Sequence, residues 1–239
     1  DDSTYEKYMG PLTFSQEMQN EPLDDNQRII RPDWLQQRFK LAQMEEIYKQ
    51  ANPDAKQSWV ESYFRRIVGA VDPAISEKTT ADYFAMITIG IARKDGHIYI
   101  LDYYRNRIGD PVEQVNVIID SYQFWKHDSI VIETVAYQKG LYALVKRIGA
   151  ERSIYPTVGA VKPDKDKVRR AVIHSANFAG NLVHLREDHP LFSAFYDEVI
   201  QFPLGVHDDM LDAYMNAAEE TVIRPKVRVF GAKPRLFTQ

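Results

Sequence analysis

Three apolar runs in this sequence stop at carboxylates. Ile67, Val68, Ala70 and Val71 lead into Asp72-Pro73, Ser129-Ile130-Val131-Ile132 leads into Glu133, and Phe202 to His207 leads into Asp208-Asp209 at the start of a helical pattern. A short apolar run halted by Asp-Pro reads as a buried central strand that delivers its last side chain to the end of a sheet. Carboxylates gathered in a low dielectric repel one another and raise their pKa values unless cations neutralise them, so three or four converging acids imply divalent metal. Two ions roughly 4 Å apart can activate a water and stabilise the leaving oxygen of a phosphodiester, which is the two-metal hydrolysis scheme. The sequence has no cysteine, so disulfides and thiolate metal sites are excluded and any ion is held by oxygen or imidazole, leaving a magnesium-type site open.

The elements that must position these acids follow from pattern and punctuation. Tyr83 to Ala92 and His97 to Tyr104 are rich in Ile, Tyr and Thr and flank an Asp95-Gly96 turn, a strong hairpin signal. With the Ile67 run they predict three antiparallel strands. Asp110-Pro111 opens a helix with Val112, Val115, Ile118, Ile119 and Tyr122 on one side, and it leads to the Ile130–Ile132 strand. A helical crossover implies a parallel partner, which sets Asp72 beside Glu133. Further helices are predicted over Val135–Ile148, Lys165–Phe178, Leu191–Ile200 and Asp208–Glu220, with short strands at Ser153–Thr157 and Leu182–Leu185. The sum is an α/β fold: a mixed sheet, three antiparallel strands then parallel ones, with helices on both faces. If the last helix starts at the same sheet end, Asp208 or Asp209 completes the cluster.

Each acid also has a plainer role. Asp72 suits a turn before proline, and one of Asp208 and Asp209 suits a helix cap that complements the dipole. Glu133 is harder to explain away, because a carboxylate directly after an apolar strand is buried at a cost unless neutralised. Asp212, one turn beyond Asp209, and Asp82, from the hairpin side, are auxiliary candidates. His207 is left out of the ligand set, since a lone histidine there more often bonds the backbone.

Net charge is -4, unevenly distributed. Residues 1–64 carry 12 acidic against 7 basic side chains, Lys139–Arg170 carries 9 basic against 3 acidic, and Arg224–Gln239 carries 5 basic and none acidic. A basic middle and tail suit a polyanion, and Lys162, Lys165, Lys167, Arg169 and Arg170 are the candidates to track a nucleic-acid backbone. A solvated helix face reads similarly, and Asp164 and Asp166 fit it. No stretch is long and apolar enough to span a membrane, and the polar, acidic start lacks the layout of a signal peptide. The cytoplasm is the expected compartment. Asp1–Ile30 shows no sustained period and reads as a linker or severed arm; Trp34, Leu35, Phe39 and Ala42 fit a helix stripe behind Pro32, and Trp59, Tyr63 and Phe64 a second short helix. The expected division is 1–64 as a linker and helical segment, 65–222 as the main domain and 223–239 as a basic tail.

Val-Asp-Pro-Ala at 71–74, Ile-Glu-Thr-Val-Ala-Tyr-Gln at 132–138 and His-Asp-Asp-Met-Leu-Asp-Ala at 207–213 resemble the three nuclease motifs of tailed-bacteriophage terminase large subunits. The resemblance runs from about Arg65 to Glu220, and the segment from Phe14 to Pro22 is similar to the stretch joining that family's packaging ATPase to its nuclease. It implies a ribonuclease H-like domain that cuts concatemeric viral double-stranded DNA in the host cytoplasm, using two Mg2+ or Mn2+ ions. By motif position, Asp72, Glu133 and Asp209 match the catalytic acids, with Asp208 beside the last as a further metal ligand. Implied partners are viral DNA, the ATPase domain, the portal and the small terminase subunit. The ATPase signature G-x-x-x-x-G-K-[ST] does not occur in these residues, so this stretch is expected to cut but not pump. Two other readings compete: a Holliday-junction resolvase-like or recombination nuclease on the same sheet, and a catalytically silent docking module using the basic tail. A sugar-kinase-like phosphotransferase would need phosphate-cradling glycine loops, which the scattered glycines do not supply.

Overall fold

The computed structural model describes residues 28–56, 58–73, 83–133, 139–162 and 166–223, apart from the side chains of Lys139, Val222 and Ile223. Asp82, Lys165, the 14–22 segment, residues 134–138 and the tail from 224 lie outside the described residues. Chain order gives β1 (Arg38–Phe39), α1 (Leu41–Ala51), α2 (Trp59–Tyr63), β2 (Phe64–Asp72), β3 (Phe84–Ala92) and β4 (Ile98–Asn106). There follow α3 (Pro111–Trp125), β5 (Ser129–Glu133), α4 (Lys139–Glu151), β6 (Val158–Val161), α5 (Lys167–Ala179), β7 (Val183–Arg186), α6 (Phe192–Gln201) and α7 (Asp209–Ile223).

The strands form one sheet in the order β1-β7-β4-β3-β2-β5-β6, in which β3 alone runs against its neighbours. The β3–β4 turn uses Gly96 at φ 80, the conformation an Asp-Gly turn requires. The period of two along β2 splits its side chains between the faces. Val68 and Ala70 join Phe178, Phe195, Met210 and Leu211 in the core under α5, α6 and α7, whereas Val71 joins Val115, Ile118, Ile132 and Val145 under α3 and α4. A third cluster, with Trp59, Phe64, Tyr99 and Trp125, packs against α1 and α2. The expected mixed sheet with helices on both faces is therefore present. Among the described residues no helix is long and apolar enough to cross a membrane.

Two local expectations are corrected. The Trp34–Ala42 stripe is not one helix: a 3-10 turn at Pro32–Trp34 gives way to β1, whose Arg38 and Phe39 pair in parallel with Leu185 and Arg186 at the sheet edge. Tertiary pairing overrides the local period there, and Ile30 and Leu35 are buried in the main core. The strand expected at Ser153–Thr157 lies at Val158–Val161 instead. Ser153 takes φ 58 and the amide of Ile154 closes the end of α4 on Gly149 O at 2.8 Å, so the chain is still leaving the helix at those positions.

Candidate active site

The parallel strands β2, β5 and β6 all point their carboxyl ends to one side, the usual location of a site in such a sheet. Val71 is in register with Ile132, so the next rung sets Asp72 beside Glu133. The last helix begins at the same end. Glu198 of α6 caps it, with Oε2 accepting from the amides of Met210 (2.8 Å) and Leu211 (3.1 Å). Asp209, Asp212 and Asn216 follow at helical spacing toward the strand ends, and the amide of Asp212 closes the first turn on Asp208 O at 2.8 Å.

The cross-connections are specific. Asn216 Nδ2 donates to Glu133 Oε2 (3.0 Å) while its Oδ1 accepts from Arg170 Nη2 (2.7 Å), and Arg170 Nε donates to Glu219 Oε1 (2.9 Å). Lys167, the first residue of α5, places Nζ 3.0 Å from Asp208 Oδ2 and pairs with Asp212 Oδ2. Burial opposes the ammonium charge, but the hydrogen bonds and charges of Asp212 and Asp208 outweigh it and raise the Lys167 pKa.

The carboxylates repel one another across this frame. Burial first, and then Glu133, Asp212 and Asp209, push Asp72 well above the usual carboxylate range, with Lys167 only partly offsetting them. Burial lifts Asp212 to about 6 despite its pairing with Lys167, and burial followed by Asp208 raises Asp209. Such groups bind more protons in the native state than in the unfolded chain, so they weaken the metal-free protein as pH rises from about 4 through the raised values. The Asp72→Asn variant, free of that penalty, is expected to gain thermal stability over the wild type progressively between pH 5 and 8 in EDTA, as read by Tm. A constant difference across that range would show that Asp72 does not carry the strain.

An oxygen-only donor set with excess negative charge has the chemistry of a divalent-cation site, and Asp212 Oδ1 is buried without a hydrogen-bond partner. The residues fit such an ion in type, and they share one end of the sheet. Among the described residues no three acidic or imidazole side chains yet converge closely enough to hold one ion, and the ammonium of Lys167 sits between Asp208 and Asp212.

The family described as the terminase RNaseH-like domain matches residues 69–220, well over half of the chain. The chain belongs to the terminase RNase H-like domain family. Its fold is similar to the manganese-soaked, inhibitor-bound nuclease domain of human cytomegalovirus terminase, with a TM-score of 0.56 at 12% identity over 80% of this chain and 94% of that one. The nuclease domain of large terminase subunit gp2 from bacterial virus Sf6, a mutant with manganese and beta-thujaplicinol, gives 0.50 at 11% identity over 80% and 97%. The large terminase of a thermophilic bacteriophage in complex with ADP gives 0.50 at 10% identity over 67% of this chain and 40% of that one. No curated protein matches.

Within this terminase fold Asp72, Glu133, Asp208, Asp209 and Asp212 share one end of the sheet. His207 is half-buried beside them, Nδ1 lying 3.8 Å from Asp209 Oδ2. The basic candidates divide. Lys162, after β6, and Arg169, on α5, are exposed at the same end. Lys167 turns into the acids, and Arg170 is 4% exposed and bonded to Asn216 and Glu219, so it does not track a DNA backbone. Sequence reasoning missed Asn216, although its position one turn after Asp212 marks the same helix stripe. It also missed Glu198, which no local signal distinguishes from any other helix glutamate.

Proposed function

We propose that this domain is a metal-dependent endonuclease that cuts concatemeric viral double-stranded DNA during genome packaging. The observation that carries the reading is the crowded, self-repelling set Asp72, Glu133, Asp209 and Asp212 at one sheet end, because at neutral pH such a set favours a divalent cation that offsets its charge. Asp72, Glu133, Asp208 and Asp209 would hold two Mg2+ or Mn2+ ions, with Asp212 behind them. When bound, such ions supply Lewis acidity and charge stabilisation to a phosphodiester under hydrolysis. The chain's own residues prepare the place. Asn216 fixes the orientation of Glu133, burial keeps water from screening the acids, and Lys167 balances Asp208 and Asp212. Lys162 and Arg169 hold the phosphate backbone on the β6 side. The reading sets the domain beside a packaging ATPase domain, a portal and a small terminase subunit in the host cytoplasm.

Plasmid cleavage tests it. Supercoiled DNA should be cut in millimolar magnesium, at least as well in manganese, and not at all in EDTA. Full activity after exhaustive chelation would overturn the metal-dependent mechanism.

A further inference from the structure

The sheet end that carries the acids has a second basic margin, on the β3–β4 side and away from Lys162 and Arg169. Tyr83 stands just before β3. The guanidinium carbons of Arg105 and Arg107 lie 4.8 Å and 4.9 Å from its ring centroid, and the ring of His207 packs edge-on to it at 4.9 Å. The ridge is anchored. Arg105 pairs with Glu198, the same side chain whose other oxygen caps the first turn of α7, so this margin is fixed to the helix that supplies Asp209 and Asp212. Arg107 is exposed at the outer end of the ridge.

We propose that Arg107, held on the Tyr83 ring, is a DNA-contacting residue that binds backbone phosphate on this margin, opposite Lys162 and Arg169 across the carboxylates. The inference rests on the nuclease reading for its substrate. Before any ion binds, an acidic centre repels a polyanion, and cations on both flanks offset that repulsion by holding the backbone over it. Lys162 and Arg169 supply one flank. Among the described residues the Tyr83 ridge supplies cations on the other; stacking on Tyr83 orders the Arg107 guanidinium, a group whose planar fork and charge suit phosphate. A guanidinium–phosphate contact positions DNA without selecting sequence.

The test uses the 239-residue chain, a duplex DNA fragment and a salt series in EDTA, with plasmid cleavage in manganese measured alongside. Arg107→Ala should weaken binding about 3- to 10-fold at low salt, lower the slope of log K against log salt by about one, and raise KM while kcat changes less than about twofold. Arg107→Lys should restore the slope, and Tyr83→Ala should reproduce part of the loss while Tyr83→Phe does not. An unchanged slope in Arg107→Ala overturns the proposal, as does a loss in Arg107→Lys as complete as in Arg107→Ala, which would mark a structural role. If the wild type fails to cleave while the Arg107→Ala slope still falls, the phosphate contact stands and the nuclease reading fails. If the wild type cleaves and the slope does not move, the reverse holds.

Discussion

Replacing Asp72 by Asn is expected to lower plasmid cleavage about a thousandfold, roughly 4 kcal/mol at the transition state, while leaving the protein folded and able to bind DNA. The substitution keeps the shape of a side chain that ends β2 and removes its charge. Glu133→Gln and Asp209→Asn should behave alike, because the three are proposed to act as one cation-holding set and not as separate acid–base groups. Their losses should not multiply: a double variant should fall little below either single one, since a set that cannot hold the cation is already inactive. Metal-free DNA binding should be retained or slightly tightened, as each change takes one negative charge from the path of a phosphate. Thermal unfolding separates the alternatives. If Asp72→Asn loses cleavage together with its folded state, Asp72 is a structural residue and the site centres on Glu133 and Asp209.

The parts of this site that sequence made legible are those encoded by contiguous pattern. An apolar run closed by Asp-Pro, a second closed by Glu and an intervening helix are enough to set Asp72 and Glu133 side by side at the ends of neighbouring strands, because crossover chirality leaves few other arrangements. The basic segment was read less well, for an identifiable reason. Arg170, Ala171, His174 and Phe178 follow the 3.6-residue period and form the buried stripe of α5, with the partly exposed Lys167 at its head, whereas Val168, Arg169, Val172 and Ile173 face solvent. Counting charge alone merges Arg170 with Arg169, and three exposed aliphatic side chains on the outer face obscure the stripe that would have separated them. The Tyr83 ridge was not legible at all. Its members come from the start of β3, the end of β4 and the approach to α7, and only the closed sheet brings them together.

Arg170 and Arg169 therefore offer a discriminating pair. Arg170→Ala removes a cation that is 4% exposed and takes one partner each from Asn216 and Glu219 on the facing helix, leaving Asp212 with Lys167 alone. Losing one side of a buried ionic network costs about 3–5 kcal/mol, far more than the net worth of the network, because the remaining groups stay desolvated. For a domain of this size that corresponds to a Tm lower by roughly 6–20 °C. Arg169→Ala, one residue away on the exposed face, should move stability by less than about 0.5 kcal/mol and instead flatten the salt dependence of DNA binding. The two variants should thus fail in opposite ways: Arg170→Ala in thermal unfolding without DNA, Arg169→Ala in binding with its melting curve intact. Arg170→Ala should lose cleavage as well, through Asn216, which no longer holds Glu133 once its own partner is gone. An Arg170→Ala protein with an unchanged Tm and weakened DNA affinity would put Arg170 on the DNA-facing surface and remove the α5–α7 network from the account of the site.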